Sequence, residues 1–148
     1  MNLDRIVPLS AAALLFVLLT GCAPATEPIG GLEISNARVR QLLPGQDKTA
    51  AYFEVTNRGA ATRSILSAHC EGARAIEFHT TQLDDAIVRM RRLSELRIEP
   101  GATLSLQPGG GHLMLFGVRS VDDPTLITLQ TADGTTIPVS FRRVAPGE

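Results

Sequence analysis

The sequence predicts an all-β fold, a single antiparallel β-sandwich domain, on three observations. Turn signals recur along most of the chain: Pro44-Gly45, Asn57-Arg58-Gly59, Glu71-Gly72, Asp84-Asp85, Pro100-Gly101, Pro108-Gly109, Asp122-Asp123-Pro124 and Asp133-Gly134. Most gaps between them are close to the roughly 8 to 12 residues that sandwiches and barrels use. The runs between the turns are short, rich in β-branched or aromatic residues and partly alternating, and none beyond the N-terminal segment sustains a helical period for three turns. A chain of 148 residues supports one such core and not two ordinary ones.

Taken in order, Met1 to Arg5 is a weakly basic start, and Ile6 to Leu19 is an apolar run interrupted by Pro8 and Ser10. That run is short for a membrane span and suits the core of a signal peptide. It meets Leu19-Thr20-Gly21-Cys22, which looks like a bacterial lipoprotein cleavage box. Residues 1–21 are therefore expected to be a lipoprotein signal peptide and Cys22 the lipid-attachment site, anchoring the chain to a bacterial membrane. Ordinary secretion, with cleavage near Ala23 or Ala25, is the alternative. Residues 22–31 hold prolines and glycines and little to bury, and read as a tether. Residues 32–143 form the sandwich domain and 144–148 a tail. Within the domain Ala51 to Thr56, Leu126 to Leu129 and Ile137 to Phe141 read as strands. Asp133-Gly134 gives the last two a tight hairpin, and Pro138 predicts an edge strand.

Charge and cysteines narrow the function classes. The formal net charge is −1, and Asp4 and Arg5 cancel, so loss of residues 1–21 leaves it unchanged. Nothing suggests nucleic acid. With Cys22 lipidated, Cys70 stands alone and no disulfide framework exists. Cys70 reads as a small buried hydrophobe, with an accessory metal or redox role beside His69 as the alternative. No nucleophile elbow or His-Glu-x-x-His pattern is present, and no enzymatic activity is expected.

The chemistry gathers between residues 79 and 114. His79 is followed by ten residues, Met90, twenty-one residues, His112, one residue and Met114. With Met1 set aside, the chain has only two methionines and three histidines, and four of those five sit in this pattern. Singly, a strand methionine packs a core and a histidine is solvated or hydrogen-bonded; gathered, the four favour a metal site. Thioether sulfur is a soft, neutral ligand and imidazole a borderline one, which suits Cu(I) better than calcium, magnesium or manganese. Zinc favours thiolates or carboxylates. Thioethers also resist the oxidation that closes paired thiolates into disulfides outside the cytoplasm.

These four residues, with Ala51-Tyr52-Phe53 before them and Pro108-Gly109-Gly110-Gly111 just ahead of His112, resemble the PCuAC family of periplasmic copper(I) chaperones. The resemblance covers roughly residues 32 to 142. It implies a cupredoxin-like Greek-key β-sandwich, a periplasmic location and Cu(I) as the bound metal. It also implies delivery of copper toward the dinuclear centre in subunit II of cytochrome c oxidase, alongside thiol-based Sco-type proteins. Many family members carry a further methionine just after the first histidine, where this chain has Thr80 and Thr81. The tail from Arg142 to Glu148 contains neither His nor Met, so no second site is expected there.

Strand geometry makes the spacing intelligible. A hairpin turn centred on Asp84-Asp85 sets His79 directly opposite Met90, with Cβ atoms about 5 Å apart. His112 and Met114 then share one face of a strand, about 7 Å apart. The three glycines before His112 are expected to let the backbone approach the other hairpin closely. Arg89, Arg91, Arg92 and Arg97 flank Met90 as a solvated face or a docking surface for an acidic partner. Two competing functions follow from the same residues. A blue-copper electron carrier needs a thiolate that only Cys70 could supply. A metal-free lipoprotein interaction module needs none of the four ligands.

Overall fold

A computed structural model describes residues 28–84 and 87–146. The signal segment 1–21, the lipidation site Cys22, the tether as far as Glu27, Asp85 and the last two residues lie outside these. The described residues contain ten strands and no helix. Five strands make the first sheet, in the order β5 (Ile87–Leu93), β4 (Ala75–Asp84), β8 (Gly111–Phe116), β2 (Lys48–Asn57) and β1 (Leu32–Arg40). The short β7 (Thr103–Ser105) pairs with the far end of β2. The second sheet runs β10 (Thr136–Val144), β9 (Thr125–Thr131), β3 (Arg63–His69) and β6 (Leu96–Ile98). Crossovers from β2 to β3, β3 to β4, β5 to β6, β6 to β7 and β8 to β9 carry the chain between sheets, giving the sandwich that the turn spacing predicts, with the Greek-key form that the resemblance implies.

Alternation builds the core. Ala51, Phe53 and Val55 of β2 are fully buried, as are Ile127 and Leu129 of β9 and Phe141 of β10, while Leu126, Pro138 and Ser140 point the other way. Phe53 and Phe141 meet edge to face across the sheets, with ring centroids 6.0 Å apart, a favoured aromatic geometry. Asn57 is buried yet satisfied: its side-chain amide donates to the carbonyls of Ala61 and Ile98, and its Oδ1 accepts from Gly59 N. The residue that reads as a turn former in sequence thus ends β2 and ties the following loop to β6.

The last hairpin forms where Asp133-Gly134 predicts it. Gly134 takes φ +84, a left-handed value that glycine adopts without strain. Asp133 accepts from the Thr131 hydroxyl and the Thr135 amide, and ion-pairs with Arg63 at 2.7 Å. Pro138 differs from expectation, because β10 is interior in the strand order. β1 pairs with β10 only at Arg38–Arg40 against Arg142–Val144. Upstream of that junction the two strands diverge around a cleft of about 350 Å³, and Pro138 sits on its wall. The missing N–H therefore faces a local edge. On the opposite wall β1 bulges between Ser35 and Arg38, and Asn36 has φ 53.

Candidate metal centre

The four candidate ligands fall on three neighbouring strands of the first sheet, on the face away from the core. β4 buries Phe78 against the core, so Glu77, His79 and Thr81 face outward; β8 buries Leu113 and Leu115, so His112 and Met114 face outward. The antiparallel register of these strands sets His79 opposite His112 and Glu77 opposite Met114. On the other side of β8, Ala50 stands opposite Met114. The two imidazole rings lie 5.8 Å apart between centroids.

The β4–β5 register corrects the expected one. Thr81 faces Met90 and His79 faces Arg92, so cross-strand partners sum to 171 and not 169. The reason is that Asp84 stays in the ladder, paired with Ile87, which moves the turn one residue along the chain. A one-residue move of the turn shifts pairing by two and preserves the face. Met90 is thus a diagonal neighbour of His79 on the same surface, within reach of a long side chain.

Burial differs sharply among the four. His112 is 6 % exposed and Met114 partly buried, whereas Met90, on the edge strand β5, is 62 % exposed and packs no core. Met90, His112 and Met114 line one open groove of about 650 Å³, with Tyr52, Thr81 and the loop at residues 41–47 as its other walls. Tyr52 faces outward from β2 yet is buried in this groove; its ring lies 6.5 Å from that of His112 and carries the Arg38 guanidinium at 5.3 Å.

The imidazoles are held with one nitrogen free each. His112 Nδ1 donates to the Gly110 carbonyl at 3.2 Å, which leaves Nε2 with its lone pair. A backbone carbonyl behind a ligating histidine is a common way to fix tautomer and ring angle. Burial pushes the His112 pKa below its ordinary value, against the opposing Gly110 bond, with the neighbouring His79 imidazole acting in the same direction as burial. His112 is consequently neutral near pH 7. His79 Nε2 lies 2.9 Å from Glu77 Oε2, and its buried Nδ1 has no hydrogen-bond partner. An orphaned buried nitrogen costs stability unless something occupies it, so the site fits a ligand that accepts a lone pair.

The glycines act differently from expectation. A Cβ at Gly109 would meet nothing, and one at Gly111 would make only ordinary contacts with Leu106 and the His79 carbonyl. The requirement is conformational: Gly109 has φ +79, in a turn closed by Gly110 N to the Gln107 carbonyl. That turn presents the Gly110 carbonyl to both His112 and the Thr81 amide.

Glu77 was not among the residues singled out from sequence. Its spacing two before His79 in a strand was the available signal, since such residues share a face. Its carboxylate also meets Arg92 Nη1 at 3.4 Å. The His79 hydrogen bond, with a further contribution from Arg92, holds its pKa below the ordinary value despite some desolvation. Cys70 belongs to the core and does not line the groove. Among the described residues no group of three or more His, Cys, Asp or Glu is placed to hold a metal.

Comparison with known proteins identifies the family and the fold. The LpqE-like model of a lipoprotein family matches residues 32–142. A chain of Leifsonia xyli subsp. xyli that bears the name of a lipoprotein, Lxx21020, is 32 % identical, covering 92 % of this chain and 88 % of its own length. Among solved structures, the copper-bound PCuAC domain from PmoF2 superposes with a TM-score of 0.68 at 20 % identity, over 81 % of this chain and 97 % of that domain. The Cu(I) form of DR1885 from Deinococcus radiodurans gives 0.59 at 28 % identity, over 78 % of each chain. Sheet order, outward-facing groove and family match converge: the chain belongs to the LpqE-like lipoprotein family and has the cupredoxin-like β-sandwich fold of PCuAC domains.

Proposed function

We propose that the protein is a copper(I) carrier held outside the cytoplasm by a lipid on Cys22, with His79, Met90, His112 and Met114 as its ligands. The observation that carries this reading is the pair of adjacent imidazoles, each with one nitrogen tied back and the other free, on a face shared with the thioethers of Met90 and Met114. The PmoF2 PCuAC domain is copper-bound and DR1885 is in its Cu(I) form, and the family is one of lipoproteins; both support the reading. Two nitrogens and two neutral sulfurs suit a closed-shell, soft ion, and binding requires only neutral imidazoles.

The uneven burial suits transfer. Met90 stands on the outermost strand, open to an incoming ligand from a recipient, while the histidines sit deeper and are braced. Release begins at the exposed thioether and ends at the imidazoles, with no proton needed at sulfur. The dinuclear copper centre of cytochrome c oxidase subunit II, supplied alongside Sco-type proteins, is the recipient that the PCuAC resemblance suggests. Carriage without catalysis is the corresponding reading.

Anaerobic titration of the apo-protein with Cu(I) against a competing chelator tests the assignment. X-ray absorption is expected to count two sulfur and two nitrogen neighbours. The reading fails if His112→Ala and Met114→Ala bind Cu(I) as tightly as the parent. A metal-free interaction module predicts no change in thermal midpoint on adding Cu(I), whereas a native-state ligand raises it.

A further inference from the structure

The geometry points to Glu77 as the positioning residue that fixes His79 in the Nε2–H tautomer, so that His79 offers Nδ1 to the ion while His112 offers Nε2. The inference rests on the copper-carrier reading for its consequence but not for its first test. A carboxylate is acceptor-only, and Glu77 Oε2 lies 2.9 Å from His79 Nε2, so the proton of that ring must stand on Nε2. The remaining nitrogen, Nδ1, is buried and without a partner. His112 carries the opposite arrangement, since its Nδ1 donates to the Gly110 carbonyl.

Three strands cooperate in this. Glu77 and His79 project from the same face of β4, and Arg92 stands directly opposite His79 on β5. Arg92 Nη1 approaches the second carboxylate oxygen, Oε1, at 3.4 Å, leaving Oε2 for the imidazole. The carboxylate is thereby braced from one side and directs the ring from the other. Outer partners of this kind orient a ligating histidine and raise its basicity, and losing one commonly lowers metal affinity roughly 10–100-fold. Glu77 itself faces Met114 across β4–β8, so the brace lies beside the sulfur as well as the nitrogen.

Long-range 1H–15N correlation spectra of the apo-protein read the tautomer directly. The expected result is His79 as Nε2–H and His112 as Nδ1–H, with His79 becoming a mixture of tautomers in Glu77→Ala. Glu77→Gln retains an acceptor oxygen and is expected to keep the parent tautomer. Cu(I) is closed-shell, so the loaded protein can be examined in the same way: the 15N signal that moves most on loading is expected to be Nδ1 for His79 and Nε2 for His112. Affinity is expected to fall about tenfold or more in Glu77→Ala and by less in Glu77→Gln. A parent His79 protonated at Nδ1, or a Glu77→Ala variant with unchanged tautomer, overturns the assignment. If the tautomer follows Glu77 but the parent takes up no Cu(I), the positioning role stands and the carrier reading falls.

Discussion

Two hairpins of the molecule, β9–β10 and β4–β5, are built alike in sequence length and oppositely in purpose. The β9–β10 hairpin drives Ile127, Leu129 and Phe141 into the core and closes with a turn whose Asp133 is held from several sides. The β4–β5 hairpin buries Phe78 on its inner strand but leaves its outer strand open to solvent, with Ile87 54 %, Val88 66 % and Met90 62 % exposed. One is held by apolar burial and the other carries the candidate ligands His79 and Met90. The contrast teaches that the candidate site takes its rigid half from β4 and β8, near the middle of the sheet, and its accessible half from the edge.

That contrast can be broken by measurement. Phe141→Ala should cost about 3–5 kcal/mol of folding stability, whereas Val88→Ala should stay within about 0.5 kcal/mol; chemical denaturation of both decides it. Equal losses would mean that the outer strand is core after all. Next in size, His112→Ala should weaken Cu(I) binding beyond the roughly 10–100-fold loss typical of an outer partner, and Met90→Ala should weaken it while leaving the melting temperature of the apo-protein unchanged. A Met90→Ala variant that binds like the parent would remove the edge strand from the site.

A smaller effect follows from the depressed His112 pKa. An unfolded histidine titrates near 6.5, so below that pH the unfolded chain takes up a proton that buried His112 resists. The stability of the apo-protein should therefore be full above about pH 6.5 and decline as pH falls through the folded value. His112→Asn should flatten the slope in pH-dependent unfolding. Smallest is Asp133, whose pKa is lowered to about 2, chiefly by its hydrogen bond from Thr131. Its contribution is present above the ordinary carboxylate range and is lost as pH falls toward 2, so Asp133→Asn should remove a shallow acid-side slope without touching copper binding.

Much of this was legible in the chain. Turn spacing and alternation were enough for a sandwich, since Phe53, Ile127 and Phe141 announce their faces by period. The candidate ligand set stands out because methionine and histidine are scarce here and gathered, and the fold puts the four on one face of neighbouring strands. What periodicity does not encode is how far a hairpin ladder runs. Asp84 reads as a turn residue but pairs with Ile87, so the expected His79–Met90 pair became a diagonal. Pro138 was read as an edge signal, and it marks an edge only locally because β1 joins β10 further along. Glu77 stayed hidden because acids are common on solvated strands; only the neighbouring imidazole gives it a role. The close approach expected of Gly109–Gly111 reduced to one backbone angle.

The divergence of β1 from β10 bears on how this chain avoids its own kind. Two open ladders lying side by side would invite a foreign strand to zip between them. Pro138 removes a donor from one, and the bulge at Asn36 skews the other. These two interruptions deny a neighbouring copy a continuous seam to join.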